Sequence, residues 1–228
     1  MTNKKTQKPL AMGVLGSGQG TNFQAILNAI EAGTLNAKIV CVLSDVEDAF
    51  ILERARKHGV PAEFISGEPF RTKLDGAAEL RYVKALRGYG AELVVLAGFM
   101  RVVKKRLLKA FPGRIVNVHP ALLPSFPGLE AWKQALDKGV KITGCTVHIV
   151  NEDVDSGPIL VQKAVPVFDS DTPKSLHTRI QQQEHVALPE ALTSIALGVY
   201  DLDAPCPTMF QDRCCCDGMG REAKGKKK

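Results

Sequence analysis

The sequence alternates between short apolar runs and amphipathic segments, and this alternation limits the folds open to the chain more than any other feature. Apolar runs with strand character lie near residues 10–17, 37–45, 61–66, 91–99 and 114–119, and helical patterns separate them. Strands that alternate with helices are typical of a parallel sheet covered by helices on both faces. We therefore predict an α/β fold with a doubly wound, mostly parallel sheet.

The pattern changes in the last third of the chain. Two strand-like segments, residues 142–151 and 158–168, are separated only by a short polar loop, so we expect them to pair in antiparallel orientation. A long helix follows, with Thr172 as its N-cap and Pro173 at its first position, and Pro189 is expected to interrupt or kink it. The sheet thus gains an antiparallel addition at its C-terminal end, closed by a long helix.

Length and charge predict one domain between two tails. The 228 residues carry 30 Lys and Arg against 24 Asp and Glu, and the formal net charge is +6. This positive charge comes from lysines and arginines near the two termini, so the body of the chain is close to neutral and no basic surface for nucleic acid is expected. We predict a basic tail at residues 1–8, a single domain at residues 9–199 and a loosely ordered tail at residues 200–228.

Hydropathy and cysteine usage favour a cytoplasmic protein. The sequence has no apolar stretch of membrane-spanning length and no leader pattern, so neither a membrane nor a nucleic acid is an expected partner. Cys41 and Cys145 lie in apolar runs and are expected to be buried thiols. The adjacent Cys214, Cys215 and Cys216 suit a solvated tail better than a tetrahedral metal site, although an adventitious metal or redox role stays open. We expect a monomer or a weak homodimer.

The first candidate site is the glycine-rich segment GSGQGTN, residues 16–22, which joins the first strand to the first helix. Backbone N–H groups and the helix dipole converge at such a turn and favour an anion such as a small phosphate. The spacing lacks the last glycine of the dinucleotide motif and the lysine of a P-loop. A tight turn without a ligand is the alternative.

The second candidate site is the end of the fifth strand, in the stretch GRIVNVHPALLPSFPG. Asn117 and His119 lie two residues apart on a strand, so their side chains point to the same face and can reach one reacting atom. Asn117 offers an amide donor, and His119 can act as an acid or a base near neutral pH. The prolines that follow stiffen the loop. The other histidines are expected to be structural: His58, His148, His177 and His185.

The third candidate site is the acidic segment NEDVDSGP. Asp155 lies against a Gly-Pro turn, where the backbone can hold its carboxylate pointing inward. From the residues alone, Glu152 and Asp153 are expected to face solvent.

Together, these blocks resemble those of a known family. SGQGTN, VVLAGFMR, RIVNVHPALLPSFPG, DVDSGPIL and IQQQEH are similar, in the same order, to the signature blocks of the phosphoribosylglycinamide formyltransferases, over roughly residues 10–198. The resemblance implies a Rossmann-like formyltransferase domain that needs no metal. Its implied activity, in purine synthesis, is transfer of the formyl group of 10-formyltetrahydrofolate to the amine of 5'-phosphoribosylglycinamide through a tetrahedral intermediate.

The resemblance also implies a role for individual residues. The catalytic group would be Asn117, His119 and Asp155, with His119 cationic and its pKa raised by Asp155. The implied ribonucleotide contacts are Gly20, Thr21, Asn22, Gln181, Gln182, Gln183 and Glu184. The implied folate contacts are Met100, Arg101, Val102, Val103, Asn117, Asn151, Glu152, Asp153, Val154 and Asp155, with Arg71 or Lys73 as a basic partner.

Three other functions compete with this interpretation. A nicotinamide-dependent oxidoreductase would explain the sheet and the glycine-rich turn but not the segment NVHPALLP. A non-catalytic nucleotide-binding module would leave Asn117, His119 and Asp155 without a role. A related enzyme that uses water or another amine as the formyl acceptor would keep the same catalytic block.

Overall fold

Strands and helices alternate along the part of the chain that the structure, a computed structural model, describes: residues 8–200 and residue 202. The strands are β1 (Leu10–Leu15), β2 (Ala37–Ser44), β3 (Ala62–Phe64), β4 (Leu93–Leu96), β5 (Ile115–His119), β6 (Ile142–Ile149) and β7 (Ile159–Pro166). The helices are α1 (Thr21–Glu31), α2 (Phe50–Lys57), α3 (Gly76–Gly88), α4 (Lys105–Ala110), α5 (Ala131–Asp137) and α6 (Pro173–Ala196).

The strands form one sheet in the order β3-β2-β1-β4-β5-β6-β7. Neighbouring strands from β3 through β5 run parallel, whereas β6 is antiparallel to both β5 and β7. The predicted doubly wound sheet with an antiparallel addition is therefore confirmed. The winding direction reverses between β1 and β4, and in open α/β sheets ligands bind beyond the carboxyl ends of the strands at such a switch point.

Apolar layers cover both faces of the sheet. On β4, Leu93 and Val95 pack into the layer that contains residues of α1 and α6, while Val94 and Leu96 pack into the layer under α3 and α4. All four side chains are buried, which explains why β4 is a continuous apolar run and not an alternating one. The core thus holds the ends of β1, β4 and β5 in fixed relative positions.

Helix α6 begins as predicted but is not interrupted at Pro189. Thr172 is its N-cap, and Thr172 and Ser175 form a capping box with Pro173 at the first helical position. The helix continues through Pro189 without interruption. A proline removes one helical hydrogen bond, but α6 packs on β6, β7 and α1, and this packing holds the helix together on both sides of Pro189.

The buried thiols and the domain ends complete the fold. Cys41 and Cys145 are buried, as predicted, and burial raises the pKa of each thiol to about 12.

Tyr200 and Leu202 are buried against the core, and the Tyr200 hydroxyl donates to the Leu160 carbonyl at 2.7 Å. Most of the two predicted tails, Cys214, Cys215 and Cys216 included, lies outside the described residues, so the division at residues 8 and 199 stays a prediction. None of the described helices combines the length and the apolar character needed to cross a membrane.

A buried carboxylate caps the short helix α4. Lys104, at the N-cap position, offers no side-chain acceptor, and Glu79 of α3 accepts hydrogen bonds from the backbone N–H groups of Lys104 and Leu107 at 3.1 and 2.9 Å. Glu79 is almost fully buried. It therefore anchors the segment that connects β4 to α4.

Replacing Glu79 with alanine is expected to lower the free energy of unfolding by about 2 kcal/mol, because two N–H groups lose their acceptor. Urea denaturation of the variant measures this loss. Glu47→Ala is the control. Glu47 is exposed, so this variant should unfold at the parent's urea midpoint. Equal midpoints for both variants and the parent would contradict the capping role.

Candidate active site

The end of β5 brings Asn117 opposite a histidine of β6. The antiparallel register pairs Asn117 with His148, and the Asn117 Nδ2 atom lies 3.2 Å from His148 Nε2. His148 Nδ1 lies 3.0 Å from the Ile149 carbonyl oxygen, which can only accept, so Nδ1 carries the proton and Nε2 accepts from Asn117 in the neutral ring. His148, expected to be structural, is therefore a neighbour of the predicted catalytic residues.

Asp155 contacts both histidines of this cluster. Its Oδ2 atom lies 3.3 Å from His119 Nδ1, and its Oδ1 atom lies 3.6 Å from His148 Nε2. The Asp155 backbone has φ 52°, an uncommon conformation for a residue other than glycine. Next to it, Gly157 packs so closely on the Ile149 carbonyl that a Cβ atom would not fit. This turn points the carboxylate inward, as predicted, while Glu152 and Asp153 are exposed.

The proline-rich loop after β5 orients both members of the His119–Asp155 pair. The Phe126 carbonyl oxygen lies 2.8 Å from His119 Nε2, and the Gly128 backbone N–H donates to Asp155 Oδ2 at 2.8 Å. The two ring nitrogens of His119 therefore both face oxygen atoms. The prolines stiffen this loop, and the loop supplies backbone groups that contact the His119 ring and the Asp155 carboxylate.

Burial and hydrogen bonding set the protonation of this pair. Burial lowers the pKa of His119 below its usual value, although the Asp155 carboxylate and the Phe126 carbonyl act to raise it. The contribution expected from Asp155 thus has the predicted sign, but burial outweighs it. Burial also acts to raise the pKa of Asp155, yet contacts from His148, Gly128 and His119 together keep that pKa below its usual value.

A cavity of about 210 Å³ opens beside this cluster. Its walls come from the ends of β4, β5 and β6 and from the acidic segment, and Asn117, His119 and Asp155 lie among them. The predicted folate residues Met100, Arg101, Val102, Val103, Asn151, Glu152, Asp153 and Val154 also line it. Met100, Leu129 and Val154 are exposed apolar side chains among the lining residues, a surface suited to a flat, partly apolar ligand.

The two basic candidates near this cavity do not line it. Lys73 forms a parallel bridge with Val102, and its Nζ atom pairs with Asp75 at 2.9 Å and lies over the Phe70 ring. Arg71 is exposed. The choice between Arg71 and Lys73 therefore stays open.

The glycine-rich turn has the geometry of an anion site. Gly20 has φ 70° and precedes α1, whose first turn has no side-chain cap. The carbonyl oxygen of Gly18 accepts from the Ile51 N–H at 3.0 Å, and that of Gln19 accepts from Arg54 Nε at 2.8 Å. The backbone carbonyls thus bond toward α2, which leaves the N–H groups at the start of α1 for a ligand. A Cβ atom on Gly20 would come within 2.8 Å of Ile51, so glycine is required there.

Asn22 and Glu184 meet next to this turn. Asn22 Nδ2 donates to Glu184 Oε2 at 2.8 Å, and both side chains are buried. Burial raises the pKa of Glu184, although the bond from Asn22 acts to lower it. The predicted neighbours on α6 differ in exposure, since Gln182 is exposed while Gln181 and Gln183 are half-buried. The structure therefore brings Glu184 and Asn22 together across 162 residues of sequence.

The glycine-rich turn and the cavity share one wall. The Ser17 N–H donates to the Gly98 carbonyl at 3.0 Å, and Gly98 lines the cavity. Within the described part of the chain, no group of three or more His, Cys, Asp or Glu side chains is arranged to hold a metal ion. The arrangement offers an amide donor and a titratable pair in one cavity, with a candidate anion site beside it.

The chain is similar to known formyl transferases in sequence and in fold. The formyl transferase family model matches residues 11–192. The chain is 37% identical over 182 residues to the phosphoribosylglycinamide formyltransferase of Bacillus subtilis, covering 80% of this chain and 92% of that protein. A crystal structure of glycinamide ribonucleotide transformylase 1 from Symbiobacterium toebii superposes with a TM-score of 0.81 at 46% identity, over 85% of this chain and 91% of that one.

A longer relative contains the same region as one part. The chain is 40% identical over 199 residues to the trifunctional purine biosynthetic protein adenosine-3 of Chironomus tentans. The match covers 86% of this chain but spans only 14% of that relative's length.

Proposed function

The chain belongs to the formyl transferase family and, within it, to the phosphoribosylglycinamide formyltransferases, and we propose that it transfers a formyl group from 10-formyltetrahydrofolate to the amine of 5'-phosphoribosylglycinamide. The observation that carries this proposal is the convergence of Asn117, His119 and Asp155 on one cavity next to an anion site. An amide donor and a proton acceptor at one reacting carbon are what transfer of an acyl group between two amines requires.

The two substrates fit different parts of the site. Gly20, Thr21 and Asn22 bind the ribonucleotide phosphate at the start of α1, and Glu184 with the glutamines of α6 binds its sugar. The folate occupies the cavity lined by the segments after β4 and before β7, where Met100, Leu129 and Val154 offer apolar contact. The formyl group then lies at the bottom of the cavity, near Asn117 and His119.

Asn117 stabilises the charge that appears on the formyl oxygen. Its Nδ2 atom carries two hydrogens, and His148 Nε2 accepts one of them, so the second is left for the oxygen of the reacting group. A preorganised donor of this kind contributes about 10²–10³-fold in rate. His148 thereby holds the Asn117 amide in the donating orientation.

His119 moves the proton. Because burial lowers its pKa, the ring is largely neutral at rest near pH 7. Its proton is then on Nε2, which faces the Phe126 carbonyl, and Nδ1, beside Asp155, accepts the proton that the attacking amine loses as its nitrogen bonds to the formyl carbon. Asp155 stabilises the resulting imidazolium. The ring returns the proton to the folate nitrogen as the bond from that nitrogen to the formyl carbon breaks, so no proton is gained or lost overall.

The purified chain, mixed with 10-formyltetrahydrofolate and 5'-phosphoribosylglycinamide, is expected to form the formylated ribonucleotide and tetrahydrofolate in equal amounts. Absorbance follows the folate, and mass spectrometry follows the ribonucleotide. A second reaction without the ribonucleotide is the control, and it should leave the folate unchanged.

Other outcomes of this assay would contradict the proposal. Folate turnover at the same rate without the ribonucleotide would assign water as the acceptor. Binding of NADH with no formyl transfer would favour an oxidoreductase.

We also propose that the enzyme acts in the cytoplasm as a monomer or a weak homodimer, without a nucleic-acid or membrane partner. The near-neutral body of the chain supports the first exclusion.

A further inference from the structure

Asp45, directly after β2, bonds to residues of two segments that belong to different substrate sites. The Ser17 hydroxyl donates to Asp45 Oδ1 at 2.5 Å, and Arg101 Nε donates to Asp45 Oδ2 at 2.6 Å. Ser17 belongs to the glycine-rich turn, and Arg101 belongs to the segment after β4 that lines the cavity. We refer to Ser17, Asp45 and Arg101 as the Asp45 cluster.

Further bonds extend the Asp45 cluster on the cavity side. The Ser17 hydroxyl oxygen accepts from the Met100 backbone N–H at 2.9 Å. Arg101 Nη1 donates to the carbonyl oxygens of Phe70 and Gly67, the latter at 3.4 Å. Nε and Nη1 of the Arg101 guanidinium are thus directed to protein acceptors, and this side chain supports the cavity wall.

The charged pair of the Asp45 cluster is largely shielded from water. The Asp45 side chain is 6% exposed and that of Arg101 is 11% exposed. Removing one partner of such a charged pair leaves the other buried charge uncompensated, so the pair has one strongly preferred arrangement. Ser17 is thus joined to Met100 by one hydrogen bond and to Arg101 through Asp45.

We propose that Asp45 is a positioning residue that couples the two substrate sites, so that a phosphate bound at the glycine-rich turn improves the cavity for the folate, and the reverse. This inference rests on the proposed function for the identity of the two ligands. Coupling carried by a contiguous bonded network is reciprocal, because each ligand must change the affinity of the other by the same factor.

The test measures binding without turnover. Calorimetry gives the Kd of tetrahydrofolate with and without saturating ribose 5-phosphate, on the parent chain and on Ser17→Ala, Asp45→Asn and Asp48→Asn. In the parent, ribose 5-phosphate is expected to tighten tetrahydrofolate binding by about fivefold or more. In Ser17→Ala and Asp45→Asn this factor should fall below about twofold, because the side-chain path through Asp45 is broken and only the backbone bond from the Ser17 N–H to the Gly98 carbonyl is common to both variants.

The variants separate coupling from folding. Asp48→Asn removes an exposed carboxylate of the same loop and should keep the parent's coupling factor. Ser17→Ala retains the Asp45–Arg101 ion pair, so it reports on coupling even where Asp45→Asn is too unstable to purify. A purely structural role would lower the unfolding temperature and leave the coupling factor unchanged.

Each remaining outcome overturns the inference. Full coupling in a folded Ser17→Ala variant, or a parent chain that binds both probes without coupling, would refute the role of Asp45 and leave the proposed function intact. A parent chain that binds neither probe would overturn both.

Discussion

Replacing His119 with alanine is expected to lower kcat by about 10³-fold, because the variant loses the imidazole that accepts the proton from the attacking amine and returns it to the folate nitrogen. The Kd of ribose 5-phosphate should stay within about threefold of the parent's, since the glycine-rich turn bonds to α2 and the segment after β4 and not to His119. Steady-state kinetics and calorimetry measure the two quantities.

His58→Ala is the matched control for this experiment. His58 follows α2, near Glu31, and does not line the cavity, so its loss should leave kcat unchanged. His119→Ala removes the ring that contacts Asp155 and the Phe126 carbonyl. Retained binding of ribose 5-phosphate also shows that this variant is folded. A folded His119→Ala chain with a kcat near that of the parent would remove His119 from the mechanism.

Replacing Asp155 with asparagine is expected to lower kcat by about 10²–10³-fold and to move the titration of His119 to lower pH. The carboxylate acts to raise the pKa of His119, and burial acts to lower it. When the carboxylate is neutralised, burial is opposed only by the Phe126 carbonyl, so the pKa must fall further. NMR titration of the His119 ring measures this shift, and the kinetic assay measures kcat.

Asp137→Asn provides the matched control for the carboxylate. Asp137 is exposed at the end of α5, and its replacement should change neither kcat nor the titration of His119. A His119 titration that stays in place or moves to higher pH in Asp155→Asn would show that the carboxylate does not interact with the ring. Normal turnover in that variant would contradict the proposed stabilisation of the imidazolium.

Much of the candidate site could be predicted because it depends on local rules. Asn117 and His119 share a face because side chains two residues apart on a strand do so. The turn before Gly157 and Pro158 points Asp155 inward through its own backbone. Gly20 precedes a helix, and the start of a helix favours an anion.

The parts that were missed depend on contacts between distant segments. His148 lies in an otherwise apolar run, and its own polar side chain there was the only signal that could have marked it. Its role follows from the register between β5 and β6, which pairs it with Asn117. The net direction of the His119 pKa was also missed, because burial depends on all the elements packed around the ring.

The sequence by itself determined the order of strands and helices and the three candidate site segments, because each follows from periodicity or turn geometry within a short stretch of chain. The doubly wound sheet followed from the alternation of strands and helices along the chain. Only the tertiary structure decided which side chains meet. It paired His148 with Asn117, Glu184 with Asn22, and Arg101 with Asp45. These pairs join residues 31, 162 and 56 positions apart, and at such separations strand register and helix packing select the partners.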